Sequence, residues 1–163
     1  MAEDAQHPMA EYNRALDCAN ERDGFDHLLR AARAGCLRAE LRVGLAYHTG
    51  RGTAADFEQA AGWYCKAAAG GDSFAIANLG VMCLLGQGAP GDDLDAYTWV
   101  RSAVELGHEK LRPALDYLEG RIGGDGGADG ATREVVLAAI SPEVPPVRLC
   151  RRAACDPSRC DAA

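Results

Sequence analysis

The sequence predicts an all-α chain. It reads as a short α-solenoid of antiparallel helix pairs, two full repeats plus flanking half-repeats, with a disordered C-terminal tail. Three observations predict it. First, residues 39–71 and 75–107 align without a gap: Gly44 with Gly80, Gly50 with Gly86, Gly52 with Gly88, Asp56 with Asp92, Ala60 with Ala96, Trp63 with Trp99, Ala67 with Ala103 and Gly71 with Gly107, always 36 residues apart. A period of this length marks stacked supersecondary units, and a single helix pair buries its apolar face only against its neighbours. Second, Gly and Asp fall where helix ends need them. Third, hydrophobic residues make up 48% of the chain, much of it Ala, while aromatic residues make up 6%. Small side chains suit close helix stacking, and the two Trp residues then carry an unusual share of the packing.

Each element follows in order. Residues 1–8 are polar and read as a disordered N-terminus, and residues 9–19 can form the first helix of a degenerate starting repeat. Asp23 reads as the N-cap of a helix over about 24–34, ended by Gly35, with Asp26 in place of the usual capping-box Glu or Gln. Ala31 and Gly35 precede Ala67 and Gly71 by 36 residues, so this segment is half a repeat, eroded at its front. The first full repeat places helices over 37–49 and 57–69, the second over 73–85 and 93–106. Gly50 and Gly86 follow the first helix of each pair, where a left-handed backbone is cheap only for Gly. Asp56 and Asp92 precede the second helix as N-caps, with Gln59 and Asp95 at the N3 positions. Gly44 and Gly80 lie inside helices at a cost of roughly 1 kcal/mol each relative to Ala, so their recurrence in register predicts close backbone approach between helices. Residues 108–120 start a third repeat with Pro113 in the first turn, where its missing N–H does no harm. There Asp116 and Glu119 replace the repeat's Gly and its Tyr47 or Cys83, as suits a polar closing helix. The helical stack is thus expected over 9–122, and residues 123–163 read as a Gly-, Pro- and Cys-rich flexible tail.

The pattern A-x3-LG-x5-G-x-G-x3-D-x3-A-x2-W-x3-A-x3-G resembles the Sel-one-like repeat family, relatives of the tetratricopeptide repeats. Leu79 matches the family's Leu, and Val43 departs from it. The resemblance covers roughly residues 24–120. It implies an α-solenoid that serves as a protein-binding scaffold, with no chemistry or cofactor of its own, and whose concave face, lined by the first helix of each pair, is the binding surface. Some eukaryotic relatives carry a zinc module of the MYND type, but its C-x2-C pairs are absent here. Cysteine-rich secreted bacterial relatives place a Cys pair in every repeat. Here Cys65 aligns with Arg101 and Cys83 with Tyr47, so the pairing does not recur, and Cys83 reads as a small apolar core residue.

Composition narrows the partners. A net charge of −7 and a pI near 5.0 argue against nucleic acid, which needs clustered Lys and Arg. No stretch approaches 18 apolar residues, so no membrane span is expected. MAEDAQHPMAEY has no basic region followed by an apolar run. Seven Cys without a secretory signal point to reduced thiols in a cytoplasmic protein.

Several constellations invite chemistry. Cys36, Asp72 and His108 look like a nucleophile set, but they occupy one equivalent position per repeat. Packed helices stand about 8–10 Å apart, whereas a nucleophile and its base need about 2.6–3.2 Å, so these are read as cap and loop positions. Asp is a good N-cap there, Cys and His poor ones. Cys150, Cys155 and Cys160 form C-x4-C-x4-C, too loose for the usual zinc pairs and with no His following. They carry the alternative reading of a metal- or redox-linked protein. No phosphate-binding, nucleophile-elbow or metalloprotease motif occurs. An enzyme would need titratable groups converging in one pocket, and the sequence spreads them along the stack. The sequence therefore reads as a non-enzymatic scaffold for a protein or peptide partner. Positions 39, 43, 44 and 47 are expected to face the core, and 38, 42, 45 and 46 with 74, 78, 81 and 82 to line the groove. Arg38, Arg42, Leu45, Asn78, Val81 and Met82 would then grip an acidic or mixed apolar segment, Arg fixing carboxylates and Met82 adapting to side chains.

Overall fold

The computed structural model describes residues 7–88 and 92–123. The expected disordered start, the tail from 124 and the cysteines at 150, 155 and 160 lie outside the described residues, residues 7 and 8 excepted. Seven α-helices are present among the described residues, and no strand: α1 Pro8–Asp17, α2 Glu21–Arg33, α3 Leu37–Thr49, α4 Phe57–Ala69, α5 Ser73–Leu85, α6 Asp93–Glu105 and α7 Arg112–Ile122, with a 3-10 turn Glu109–Leu111 before α7. Each helix packs chiefly on its neighbours in sequence, α3 on α4 and α5 on α6 as pairs and α2 on α3 and α4 on α5 between pairs. This is the all-α solenoid that the repeat predicts.

The helix ends follow the cap chemistry. Asp56 accepts from the Gln59 N–H at 3.0 Å, and Asp92 from Leu94 and Asp95 at 3.0 and 2.9 Å. Gly50 and Gly86 close α3 and α5 at φ +73° and +68°. The turn between pairs also repeats in register. The backbone N–H of Cys36, Asp72 and His108 each bonds a carbonyl five residues back, of Ala31, Ala67 and Ala103, at 3.0 Å.

The N-terminal half-repeat differs from its reading. The N-cap of α2 is Asn20, which accepts from the Arg22 N–H at 3.1 Å, and Asp23 sits within the first turn, its carboxylate held by the Asn20 side-chain amide at 3.2 Å. Asn20 lies 36 residues before Asp56, so the front of this half-repeat is in register rather than eroded. An Asn cap followed by Asp in the first turn presents two cap-competent side chains, and the sequence pattern singled out the wrong one. α1 starts at Pro8, with the His7 side chain accepting from the Met9 N–H at 3.3 Å. The closing helix also differs: a 3-10 turn precedes α7, which runs on to Ile122 with Pro113 in its first turn.

Gly44 and Gly80 make the close approaches expected of them. A Cβ on Gly44 would stand 2.7 Å from the Tyr64 ring of α4, and one on Gly80 2.9 Å from a Val100 methyl and 3.1 Å from its backbone nitrogen on α6. The loop glycines do the same between repeats: a Cβ on Gly52 would run into the Glu21 carbonyl at the start of α2, and one on Gly88 into the Phe57 carbonyl at the start of α4. Four of the repeat glycines thus mark contacts within and between pairs.

Candidate interaction face

The first helices of the pairs, α1, α3 and α5, present the surface expected to bind. Along α3 the buried stripe is Ala39, Val43 and Ala46, and along α5 it is Ala75, Leu79 and Met82. These positions step by four and then three residues and so share one helical face. Met82 is fully buried (0% exposed) and Ala46 is 7% exposed. The expectation that Met82 lines the groove is therefore wrong: position 82 completes the core stripe, one turn beyond Leu79. Tyr47, expected in the core, is half-buried instead, its ring edge-on to Phe25 at 5.3 Å.

Arg38, Arg42, Leu45, Asn78 and Val81 are all half-buried on α3 and α5. Arg42 does more than face outward. Its Nε donates to the Tyr12 hydroxyl at 3.0 Å and its guanidinium lies 5.6 Å from the Tyr12 ring centre, tying α3 to α1. Tyr12 stands outside the repeat, so no periodicity could have revealed this partner. The position equivalent to Arg38 is Phe74, 47% exposed, with its ring edge-on to His108 at 4.9 Å.

A cleft of about 210 Å³ opens on this side of the stack, between the end of α1, the start of α2 and the second half of α3. Leu16, Phe25, Leu28 and Leu45 supply apolar lining, and Arg42 and Arg51 line it as well. Arg51 pairs with Glu21 at 2.9 Å, both side chains well exposed.

Sequence reasoning also missed an ionic cluster behind α1. Glu11, only 8% exposed, meets Arg14 at 2.6 Å, His27 Nδ1 at 2.8 Å and Arg30 at 3.0 Å. The His27 hydrogen bond, then those cations, hold its carboxyl below the usual carboxylate range against the opposing effect of burial. The spacing of Glu11 and Arg14 on one helix was the only available hint.

The nucleophile set dissolves in the same detail. Asp72 caps α5 through Phe74 and Ala75 N–H groups at 2.9 and 3.0 Å, Cys36 lies in the core with its thiol 3.8 Å from Met9 Sδ, and His108 sits edge-on to Phe74. Cys36 and His108 make no side-chain cap bond, as their chemistry predicts. Cys83 is buried in the core, and burial, then Asp95 and Cys65, push its thiol pKa up, the mark of a packing residue rather than a nucleophile. Among the described residues no three His, Cys, Asp or Glu side chains gather as a metal site, and no helix is long and apolar enough to cross a membrane.

The Sel1 repeat model matches residues 19–36, 37–72 and 73–108, more than half of the chain. The chain belongs to the Sel1 repeat family. The three matched blocks coincide with the Asn20-capped half-repeat and the two full helix pairs. Among solved structures, this Sel1-repeat chain is similar to a Sel1 repeat protein from Oxalobacter formigenes, 26% identical with a TM-score of 0.68, over 76% of this chain and 54% of that one. It is also similar to c5321, a protective antigen present in uropathogenic Escherichia coli strains displaying an SLR fold, 28% identical with a TM-score of 0.66, over 73% of this chain and 27% of that one. The Sel1-repeat chain thus spans about half the length of the first relative and about a quarter of the second. No curated protein matches it. Sel1-repeat proteins are generally protein-interaction scaffolds.

Proposed function

We propose that this chain is a non-catalytic scaffold that binds a protein or peptide partner on the face shared by α1, α3 and α5. The observation that carries the reading is the split character of α3 and α5. Each buries one stripe completely while Arg38, Arg42 and Leu45, then Asn78 and Val81, stay half-exposed beside it. Such mixed polar and apolar strips on a rigid helical support suit side-chain recognition better than catalysis. A cytoplasmic location with reduced thiols fits the free thiols of Cys65 and Cys83. The test is affinity capture with the full chain, followed by the same capture with Leu45→Asp and Val81→Asp. Loss of the captured proteins by variants that keep the parent's helical circular dichroism is the expected result. Retention of every partner by both variants would place binding on another face. Arg38 and Arg42 are left out of this set because both make contacts within the chain, Arg42 to Tyr12, that would mix a folding effect into the result.

A further inference from the structure

We propose that the cleft between α1, α2 and α3 is the anchor point for an acidic amphipathic segment of a partner protein, one apolar side chain entering the cleft while carboxylates meet Arg42 and Arg51. This rests on the scaffold reading and narrows it to one place and one ligand chemistry.

The cleft exists because the N-terminal half-repeat is irregular. α1 has 10 residues where α3 and α5 have 13. Residues 18–20 join it to α2, whereas the longer segment 50–56, with two glycines, joins α3 to α4. The space left at the end of α1 is not refilled by bulk. In the next interval the positions equivalent to Leu28 and Ala46 are Tyr64 and Met82, both fully buried. Leu28 and Ala46 are smaller, and the corresponding volume stays open between α1, α2 and α3.

Size and charge then select the occupant. At about 210 Å³, the cleft falls below the ~300–1,000 Å³ of small-molecule pockets and suits one or two side chains. Leu16 is 36% exposed at its mouth, so the apolar surface is open to solvent. Of the charged groups that line it, Arg42 and Arg51 outnumber Glu21, on a chain whose net charge is −7. Arg42 uses Nε for Tyr12, and its Nη donors remain for a second acceptor. The Arg51–Glu21 pair is an exposed one of the kind that contributes little, so a carboxylate from a partner can share Arg51 at small cost. An apolar cleft lined also by cations complements an apolar side chain flanked by Asp or Glu. Nucleic acid is disfavoured by the overall negative charge.

The test is selection of short random peptides displayed on phage against the full chain, followed by titration of the selected peptides by fluorescence anisotropy. Enriched peptides should carry Leu, Ile, Met or Phe flanked by Asp or Glu, and their binding should weaken as salt rises. Leu45→Asp and Leu16→Glu should each weaken binding about tenfold or more. Leu16→Glu changes an exposed position, so the fold survives it even where Leu45→Asp lowers the melting temperature. Binding unchanged by both variants, or enrichment of peptides without acidic residues, overturns the proposal. Retention in both cleft variants with loss on Val81→Asp overturns the cleft and leaves the scaffold reading intact. Failure to enrich any peptide, while affinity capture still yields a partner sensitive to Val81→Asp, does the same. Failure of both experiments overturns both readings.

Discussion

Two regions of this solenoid, the central repeats and the first helix, are held by different chemistry. From α3 to α6, helices meet through glycine: Gly44 admits the Tyr64 ring, Gly80 admits Val100, and Gly88 lies against the backbone of Phe57. At the N-terminal end, α1 is held by side chains that reach across. Glu11 reaches His27 and Arg30 of α2, with Arg14 of α1 on the same carboxylate, and Arg42 of α3 bonds Tyr12. A repeat stacks because its neighbour has the same surface, so small residues at fixed intervals suffice. The first helix lies outside the repeat register, and besides its close packing at Gly24 and the burial of Tyr12 it is fixed by individual polar contacts.

The largest effect expected from breaking this contrast lies at the tryptophans. Trp63 is 9% exposed, packs with the N-terminal cluster of Tyr12, Phe25 and Val43, and has the Lys66 ammonium 4.0 Å from its ring centre. Trp99, its counterpart, is only half-buried. Trp63→Ala should cost about 3–5 kcal/mol, a large fraction of the ~5–15 kcal/mol that holds an ordinary domain together, and Trp99→Ala clearly less. Urea denaturation of both variants checks this. Equal losses would mean that the two positions are equivalent in packing as well as in sequence.

A somewhat smaller loss should follow at the loop glycine. Gly88→Ala places a Cβ against the Phe57 carbonyl and imposes φ +69° on a residue that disfavours it. The positive φ costs roughly 1–2 kcal/mol and overpacking typically 1–3 kcal/mol, for a total of about 3 kcal/mol. Gly86→Ala carries the first cost alone, because no atom lies within 4 Å of its added Cβ. A ratio near one between the two variants would show that the loop yields.

These comparisons explain what was legible. The bounds of α3, α4 and α5 were read to the residue, because Asp56, Asp72, Gly50 and Gly86 each do one local job that a sequence displays. The face of each helix was harder. Position 82 falls between the expected core positions and so reads as outward-facing, yet Ala39, Val43 and Ala46 step at four and three, and Met82 follows that step on α5. The cleft and the Glu11 cluster were not legible at all. Both arise where α1 meets α2 and α3, and contacts between a non-repeating helix and its neighbours leave no period to find.

Glu11→Gln sharpens the comparison at the N-terminal end. It removes the charge that holds α1 while keeping the side-chain shape, and hydrogen bonds to charged groups are worth ~1.5–3 kcal/mol each. Arg14 and Arg30 are 48% and 59% exposed and regain water when released, so the net loss should be about 2 kcal/mol at most. Hydrogen exchange should localise the added opening to α1 and spare α5 and α6. Uniform loss of protection would mean that the terminal helix and the repeats unfold as one unit.

The smallest expected effect is a pH dependence inside the regular part. His48 of α3 sits with its ring edge-on to Phe57 at 5.5 Å and to Tyr64 at 6.3 Å, and burial lowers its pKa from 6.5. The folded chain therefore prefers the neutral ring. As pH falls below about 6.5, the unfolded chain binds a proton that the folded one resists, and stability declines until pH passes below the folded-state pKa. Glu40 contributes with the opposite sign, because burial raises its pKa, and Glu11 with the same sign as His48 at lower pH. Comparison of parent with His48→Phe cancels both carboxylates. The Phe variant keeps an aromatic ring against Phe57 and Tyr64 and has nothing to protonate. Its melting temperature should fall less than the parent's between pH 7.5 and 5.5, chosen to bracket the ordinary histidine pKa of about 6.5. Parallel curves for the two proteins would mean that protonated His48 is tolerated in place, and that the Tyr64 contact opened by Gly44 is wetter than the repeat packing implies.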